Sequence, residues 1–360
     1  MLENTLYKLT VNKKLRIAYF GGSITEGTGS SDFEKTSYRA ILTSYFRKKY
    51  PEADITEINA AIGGTGTSYG MYRVLPDVLA HKPDLVFVEF AVNDYGDTYD
   101  NIRCQTETII RKLLLDDSTT DIIVLFSTSA EIIEAVERGE EYTSRSAQLD
   151  AAHRYRVLTV DHGAALHAAI CKSGRPVSDY IPDTLHPSDI GHRALAECTM
   201  AILDKNLVGE IPMSVTEHSI PTPLSPKVFD AARLVPVTAV DTLKMCGFEL
   251  KSAPDGERFP EYLAAFRPGD SFSFEFDGDT LGFAWVGGYL SCDLLVSIDG
   301  GEAVTVRSWD HALRSFHRLQ NAVFAKGLKL GHHCATVTAT GDTNGEDVGE
   351  ICGISGLFLC

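Results

Sequence analysis

The sequence predicts an α/β domain built on a doubly wound parallel sheet, followed by a smaller all-β sandwich. Three observations carry this. Over roughly the first 210 residues, short unbroken apolar runs alternate with segments of helical spacing, the pattern of strands covered on both faces. Four of the 14 prolines fall at Pro212, Pro221, Pro223 and Pro226, where the helical spacing stops. Beyond them, short alternating runs separated by Gly and Asp replace the helices. These divide the 360 residues into a first domain over 1–210, a proline-rich linker over 211–226 and a β domain over 227–360.

Each element has its own signal. Leu15–Gly21 is an apolar run closed by glycines, and Ser37–Tyr50 has helical spacing up to Pro51. Asp54–Ile62 reads as a second strand and Gly70–His81 as a helix ending before Pro83. Asp84–Val92, β-branched, aromatic and nearly uncharged, is the clearest buried strand. Helix Ile102–Leu115, strand Asp121–Ser127, helix Tyr142–Tyr155 and strand Val157–Val160 follow, and Ser188–Asn206 closes the series as a long amphipathic helix. In the β domain the strand-like runs are Ser271–Phe276, Thr280–Val286, Asp293–Ile298, Ala303–Val306, Ala335–Thr340 and Gly353–Leu359. Asp277-Gly278-Asp279 and Gly341-Asp342 read as turns, and Asp299-Gly300 as a hairpin turn.

Composition excludes several classes. With 33 basic and 49 acidic residues the net charge is −16, so phosphate backbones and anionic membranes are repelled; neither a nucleic-acid nor a membrane partner is expected. No apolar run approaches the length of a membrane-spanning helix. Residues 1–14 lack a signal peptide's apolar run, and the eight cysteines form no CxxC pair. The expectation is a cytoplasmic protein with mostly buried free thiols.

Four segments can carry chemistry. Gly21-Gly22-Ser23-Ile24-Thr25 follows the first strand, where an open α/β sheet gathers its ligands. The glycines allow a sharp turn that exposes Ser23, and neither dinucleotide nor phosphate-loop spacing matches. Asn59 to Gly66, after the second strand, offers free backbone N–H groups or, equally, a helix start capped by Thr65 or Thr67. Asn93 and Asp94 end the most buried strand; Asn93 is an oxyanion donor or the opening of a turn, and Asp94 supports the loop. Asp183 and His186, three apart ahead of the last helix, can hydrogen-bond when the segment turns, while Ser188 caps that helix. His192 reads as packing. His332 and His333 lack a third ligand at zinc spacing, so no metal is expected. Glu26, Tyr69, Tyr72 and Tyr95 are candidates to line a pocket, and Trp285, Tyr289 and Trp309 to stack on sugar rings or to pack.

Taken in order, these segments resemble the SGNH (GDSL-type) hydrolase family over roughly residues 15–207. GGSIT stands at the GDS-like block, Asn59–Gly64 at the glycine block, AVND at the GxND block and DTLHP at the DxxHP block. Gly22 and Ala91 depart from the Asp and Gly usual there. The resemblance implies a flavodoxin-like SGNH fold and a serine esterase. It implies catalytic Ser23, Asp183 and His186, an oxyanion hole formed by Ser23, Gly64 and Asn93, and no cofactor. It further implies short acyl esters, O-acetyl groups of carbohydrates foremost, as substrates. Acyl transfer by the same serine and non-catalytic carbohydrate binding are the alternatives.

Overall fold

The computed structural model describes residues 2–252, 261–287, 292–307, 318–341 and 352–360. Two compact units divide the chain, Met1–Asp230 and Ala231–Cys360.

The first unit is built on five parallel strands: β1 (Lys14–Gly21), β2 (Asp54–Asn59), β3 (Leu85–Glu89), β4 (Asp121–Phe126) and β5 (Leu158–Asp161). Their order is β2-β1-β3-β4-β5, the flavodoxin-like arrangement. Sheet order reverses at β1, so the gap outside the ends of β1 and β3 is where such folds receive ligands. β3 and β4 are buried along their whole length, which explains why they read as continuous apolar runs. The helices are α1 (Glu3–Tyr7), α2 (Ser23–Glu26), α3 (Tyr38–Lys49), α4 (Thr67–Asp77), α5 (Tyr99–Asp116), α6 (Ala130–Glu137), α7 (Thr143–Arg154), α8 (His162–Ser173), α9 (Val177–Tyr180) and α10 (Asp189–Asn206). Among the described residues, none is long and apolar enough to cross a membrane.

The proline-rich stretch differs from the expected free linker. Asn4 holds Thr216 by a pair of hydrogen bonds, 2.8 Å to its carbonyl and 2.7 Å from its N–H. The buried Glu107 carboxylate accepts from Leu224 N (2.7 Å) and Ser225 N (2.9 Å), and Arg111 pairs with Asp230 at 2.6 Å. An extended, proline-containing chain carries backbone groups that no ladder satisfies, and these side chains satisfy them. Residues 211–226 thus form a strap on the first unit, whose boundary lies after Asp230.

In the second unit nine strands form one antiparallel sheet among the described residues: β6 (Arg233–Pro236), β7 (Lys244–Cys246), β8 (Glu249–Ser252), β9 (Glu261–Ala265), β10 (Ser271–Gly287), β11 (Leu294–Ile298), β12 (Val304–Val306), β13 (Arg318–Ala339) and β14 (Cys352–Leu359). The expected turn at Asp277-Gly278-Asp279 is instead a bulge inside the continuous β10, with Gly278 at φ 150°. The register shifts there, Asp279 of β10 lying opposite four residues of β13, and the inward face changes from Phe272, Phe274 and Phe276 to Leu281, Phe283 and Trp285, all of one apolar cluster. Asp299-Gly300 is the expected hairpin turn between β11 and β12, both residues at positive φ (52° and 70°). Trp285 is buried in this core and packs rather than presenting a surface; Tyr289 and Trp309 lie outside the described residues. The seven cysteines whose side chains are described form no disulfide, but Cys292 alone among them is buried. The others sit on half-covered or solvent-facing sides of helices and strands, which corrects the expectation of mostly buried thiols.

Candidate active site

The ends of β1, β2 and β3 bring three of the four segments together. β1 stops at Gly21, where a Cβ would lie 2.6 Å from the Glu89 carbonyl and 2.4 Å from Thr25 Oγ1; only glycine allows the chain to turn there. Ser23 opens the single-turn α2, so its N–H is among those a helix start leaves without an internal partner. Gly27 ends that turn at φ 117°, its N–H donating to Ser23 O. A Cβ at Gly22 would lie 2.3 Å from Asn93 Oδ1 and 3.3 Å from Thr65 O. Glycine at 22 therefore leaves room for the Asn93 amide and marks the point where the three loops converge. That amide makes no hydrogen bond among the described residues, and its Oδ1 is buried. Gly64 stands in the left-handed region at φ 73° on the loop after β2.

The fourth segment arrives from the loop ahead of α10. His186 Nε2 lies 2.9 Å from Ser23 Oγ, and His186 Nδ1 lies 2.7 Å from Asp183 Oδ2. The other Asp183 oxygen accepts from the backbone N–H of Leu185 (3.0 Å) and of His186 (2.6 Å), which ties the carboxylate to the turn that carries the histidine. Burial pushes the Asp183 carboxyl up, but these hydrogen bonds outweigh it and leave it below the usual carboxylate range. Thr184, between them, adopts φ 70°, and its carbonyl accepts from Ala130 N at 2.9 Å. Ser188 caps α10 as expected, through Gly191 N. Behind the histidine, Gly29 (φ 90°) lets the chain after α2 pass close: a Cβ there would come within 3.0 Å of His186 Cβ. An alcohol, an imidazole and a carboxylate in this chain of contacts can relay a proton from the alcohol.

Sequence reasoning missed the buried polar groups that hold these loops. Arg73, on α4 and fully buried, donates to Ala60 O (2.6 Å), Gly21 O (2.9 Å), Thr65 Oγ1 (3.3 Å) and Asp77 Oδ2 (2.9 Å). Glu89, at the end of β3, accepts from the hydroxyls of Thr25 (2.7 Å) and Ser127, and Ser127 Oγ accepts from Val92 N. Burial pushes its carboxyl above the usual range. Asp94 does more than support its loop. Its Oδ1 accepts from Thr67 N (2.8 Å), and its Oδ2 accepts from Thr67 Oγ1 (2.9 Å) and Gln148 Nε2 (2.8 Å). The N-cap position of α4 is thus Gly66 rather than Thr65 or Thr67, and Asp94, from the loop after β3, accepts from the helix's first N–H. Burial pushes the Asp94 carboxyl up to about 7 against those hydrogen bonds.

The remaining candidates fall away from the site. His192 is buried against Tyr38: its Nδ1 accepts from Tyr38 N, its Nε2–H donates to Thr28 O, and burial lowers its pKa to about 4. Tyr69 and Tyr72 belong to the core, while Tyr95 stays exposed on the loop after β3. His332 and His333 pair with Asp277 and Asp299, and no cluster of metal-ligating side chains occurs among the described residues.

Residues 19–194 match the model of the GDSL-like lipase/acylhydrolase family. An acetylxylan esterase of Geobacillus stearothermophilus is 28% identical over 200 residues, spanning 50% of this chain and 90% of the relative. A solved two-domain esterase active on acetylated mannans has the same fold, with a TM-score of 0.85 at 22% identity over 99% of this chain and 95% of that one. Its form co-crystallised with mannopentaose gives 0.83 at 23% identity, over 98% and 94%.

Proposed function

We propose that this chain, whose residues 19–194 match the GDSL-like lipase/acylhydrolase model, removes short acyl groups, acetyl foremost, from carbohydrate esters through a Ser23–His186–Asp183 relay. The observation that carries this reading is the pair of contacts at His186, 2.9 Å to Ser23 Oγ on one side and 2.7 Å to Asp183 on the other. Neutral His186 accepts the Ser23 proton at Nε2 as the oxygen attacks the ester carbonyl carbon, and Asp183 fixes the Nδ1–H tautomer. The N–H groups of Ser23 and Gly64 and the uncommitted Asn93 amide meet the tetrahedral oxyanion. One such donor contributes about 3–4 kcal/mol to the transition state. The imidazolium then protonates the leaving sugar oxygen as the C–O bond breaks. Water, losing its proton to the same nitrogen, attacks the acyl-Ser23 ester and releases acetate and the serine.

Support for a sugar acetyl ester comes from the acetylxylan esterase relative and from the two-domain esterase of the same fold. The test compares wild type and Ser23→Ala on para-nitrophenyl acetate, butyrate and octanoate, then on acetylated xylo- and manno-oligosaccharides. Turnover that needs Ser23 and falls with acyl length, with acetate released from the oligosaccharides, is the expected result. Absence of Ser23-dependent turnover on all of them overturns the proposal.

A further inference from the structure

We propose that Arg73 is a positioning residue that holds the two backbone segments carrying Ser23 and Gly64 in the geometry an oxyanion requires. The inference rests on the reading of Ser23 and Gly64 given above and deepens it by naming what sets their spacing.

The parallel ladder between β1 and β2 has its last residue pair at Tyr19 and Asn59. Beyond that pair the two backbones run on toward Ser23 and Gly64, tied by Ala60 N to Tyr19 O (2.9 Å) and Ile62 N to Gly21 O (3.0 Å). The Arg73 guanidinium adds its own bridge across the same gap. One nitrogen reaches Ala60 O; the other reaches Gly21 O, two residues before Ser23, and Thr65 Oγ1, one residue after Gly64. Thr65 Oγ1 in turn donates to Ile62 O at 2.7 Å, closing the loop on itself. The planar fork is held from its face by Phe20, whose ring centroid is 4.4 Å from Cζ.

Charge makes the arrangement costly as packing alone. Arg73 has no exposed surface; its ion-pair partner Asp77 is itself partly open to solvent, and the Glu26 carboxylate adds a weaker attraction. A buried cation is expensive unless its donors meet well-placed acceptors, and three of the four acceptors that its two terminal nitrogens reach belong to the segments behind the serine and the glycine. A lysine keeps the charge but offers a single point donor, which cannot serve Ala60 O, Gly21 O and Thr65 together.

The test measures kcat and KM on para-nitrophenyl acetate, and inhibition by a small alkylboronic acid that forms a tetrahedral adduct on serine. It is run on wild type, Ser23→Ala, Arg73→Lys and Thr65→Val, with circular dichroism to establish folding. A displacement of about 1 Å at a reacting centre costs on the order of 100-fold. Arg73→Lys is therefore expected to lower kcat by about 100-fold with KM within about threefold, and to weaken boronate binding by a similar factor. Thr65→Val, which removes the Arg73 contact at this hydroxyl together with its hydrogen bond to Ile62 O, is expected to lower kcat by roughly 3- to 10-fold with KM unchanged. A folded Arg73→Lys enzyme with kcat within about twofold of wild type, or one altered in KM alone with unchanged boronate binding, overturns the inference. If Arg73→Lys does not fold, Thr65→Val decides: a loss confined to kcat and boronate affinity supports the inference, and wild-type values for both overturn it. Wild type that shows no Ser23-dependent turnover overturns the esterase reading itself, a result distinct from a Ser23-dependent enzyme indifferent to Arg73.

Discussion

The carboxyl edge of the parallel sheet and the interior of the β unit bury their side chains on opposite principles. At the sheet edge, Arg73, Glu89 and Asp94 are all hidden from solvent, each committed to backbone groups or hydroxyls of loops that meet near Ser23. In the β unit the core cluster is apolar throughout, from Phe272 and Phe274 to Leu357 and Leu359. Apolar contacts are non-directional and tolerate small shifts, whereas a buried charge is satisfied in one geometry only. The first kind of interior specifies a fold; the second specifies the positions of a few atoms.

The sharpest way to break this comparison is to exchange the penalties. Asp183→Asn removes a charge but little packing, since the carboxylate side chain is about half exposed. It is expected to lower kcat on the acetyl ester by about 10⁴-fold with little change in melting temperature: the N–H groups of Leu185 and His186 keep the amide oxygen, so the amide N–H donates to His186 Nδ1 and holds the wrong tautomer. Phe283→Ala, at a fully buried position of the β core, is expected to destabilise that unit by about 3–5 kcal/mol through lost burial and a cavity. Calorimetry beside esterase rates measures both. An Asp183→Asn enzyme at near wild-type rate, or a Phe283→Ala unit that melts as wild type does, removes the contrast.

That contrast also explains what was legible in the sequence. β1, β3 and β4 were readable because burial on both faces leaves an unbroken apolar run, and the four loop segments because their glycines and polar residues interrupt such runs at strand ends. α6 and α8 left no signal. α6 spans eight residues, and α8 buries His162 and Leu166 alone, so neither needs a full apolar stripe. Arg73 was invisible because a single arginine on an amphipathic helix reads as a solvent-facing residue; burial at its position is a tertiary fact. The spacing Gly27-Thr28-Gly29, at φ 117° and 90° for the glycines, was the one available signal that the chain passes close behind His186. Residues 211–226 read as an extended linker for the same reason: proline content reports an extended chain but not the side chains of Asn4, Glu107 and Arg111 that hold it.

His333 in the second unit and Asp183 in the first differ in the sign of their pH linkage. His333, in β13, sets Nδ1 against the Asp299 carboxylate (2.7 Å) and Nε2 against the Lys329 carbonyl (2.7 Å), so both ring nitrogens face acceptors and the imidazolium satisfies both. The Asp299 hydrogen bond, followed by that to Lys329 O, raises its pKa in the folded protein. A raised histidine contributes stability that is complete below the unfolded value of about 6.5 and is lost as pH rises through the folded value. Asp183, held below its ordinary range, behaves oppositely: its contribution is present above the unfolded carboxylate value and is lost as pH falls through the folded one. Both tryptophans, Trp285 and Trp309, belong to the second unit, so tryptophan fluorescence follows that unit's unfolding. Its denaturant midpoint is expected to fall in wild type as pH rises from about 6.5 through the raised folded value, and the fall to shrink in His333→Gln. Equal pH profiles for the two would show that the clasp at Asp299 adds nothing.

The smallest effect tests whether geometry at the sheet edge carries strain of its own. Thr184 is β-branched and stands at φ 70° between Asp183 and His186. That conformation costs an ordinary residue roughly 1–2 kcal/mol, and glycine avoids the cost at the expense of about 0.5–1 kcal/mol of added chain entropy when unfolded. Thr184→Gly is therefore expected to gain about 0.5–1 kcal/mol by chemical denaturation. The turn itself has other anchors: Asp183 Oδ1 holds the N–H groups of Leu185 and His186, and Ala130 N holds the Thr184 carbonyl. If those three hydrogen bonds define the turn, the variant keeps its esterase rate while gaining stability. A gain in stability with a loss of kcat would mean that the threonine's stiffness, beyond the hydrogen bonds around it, keeps His186 on Ser23.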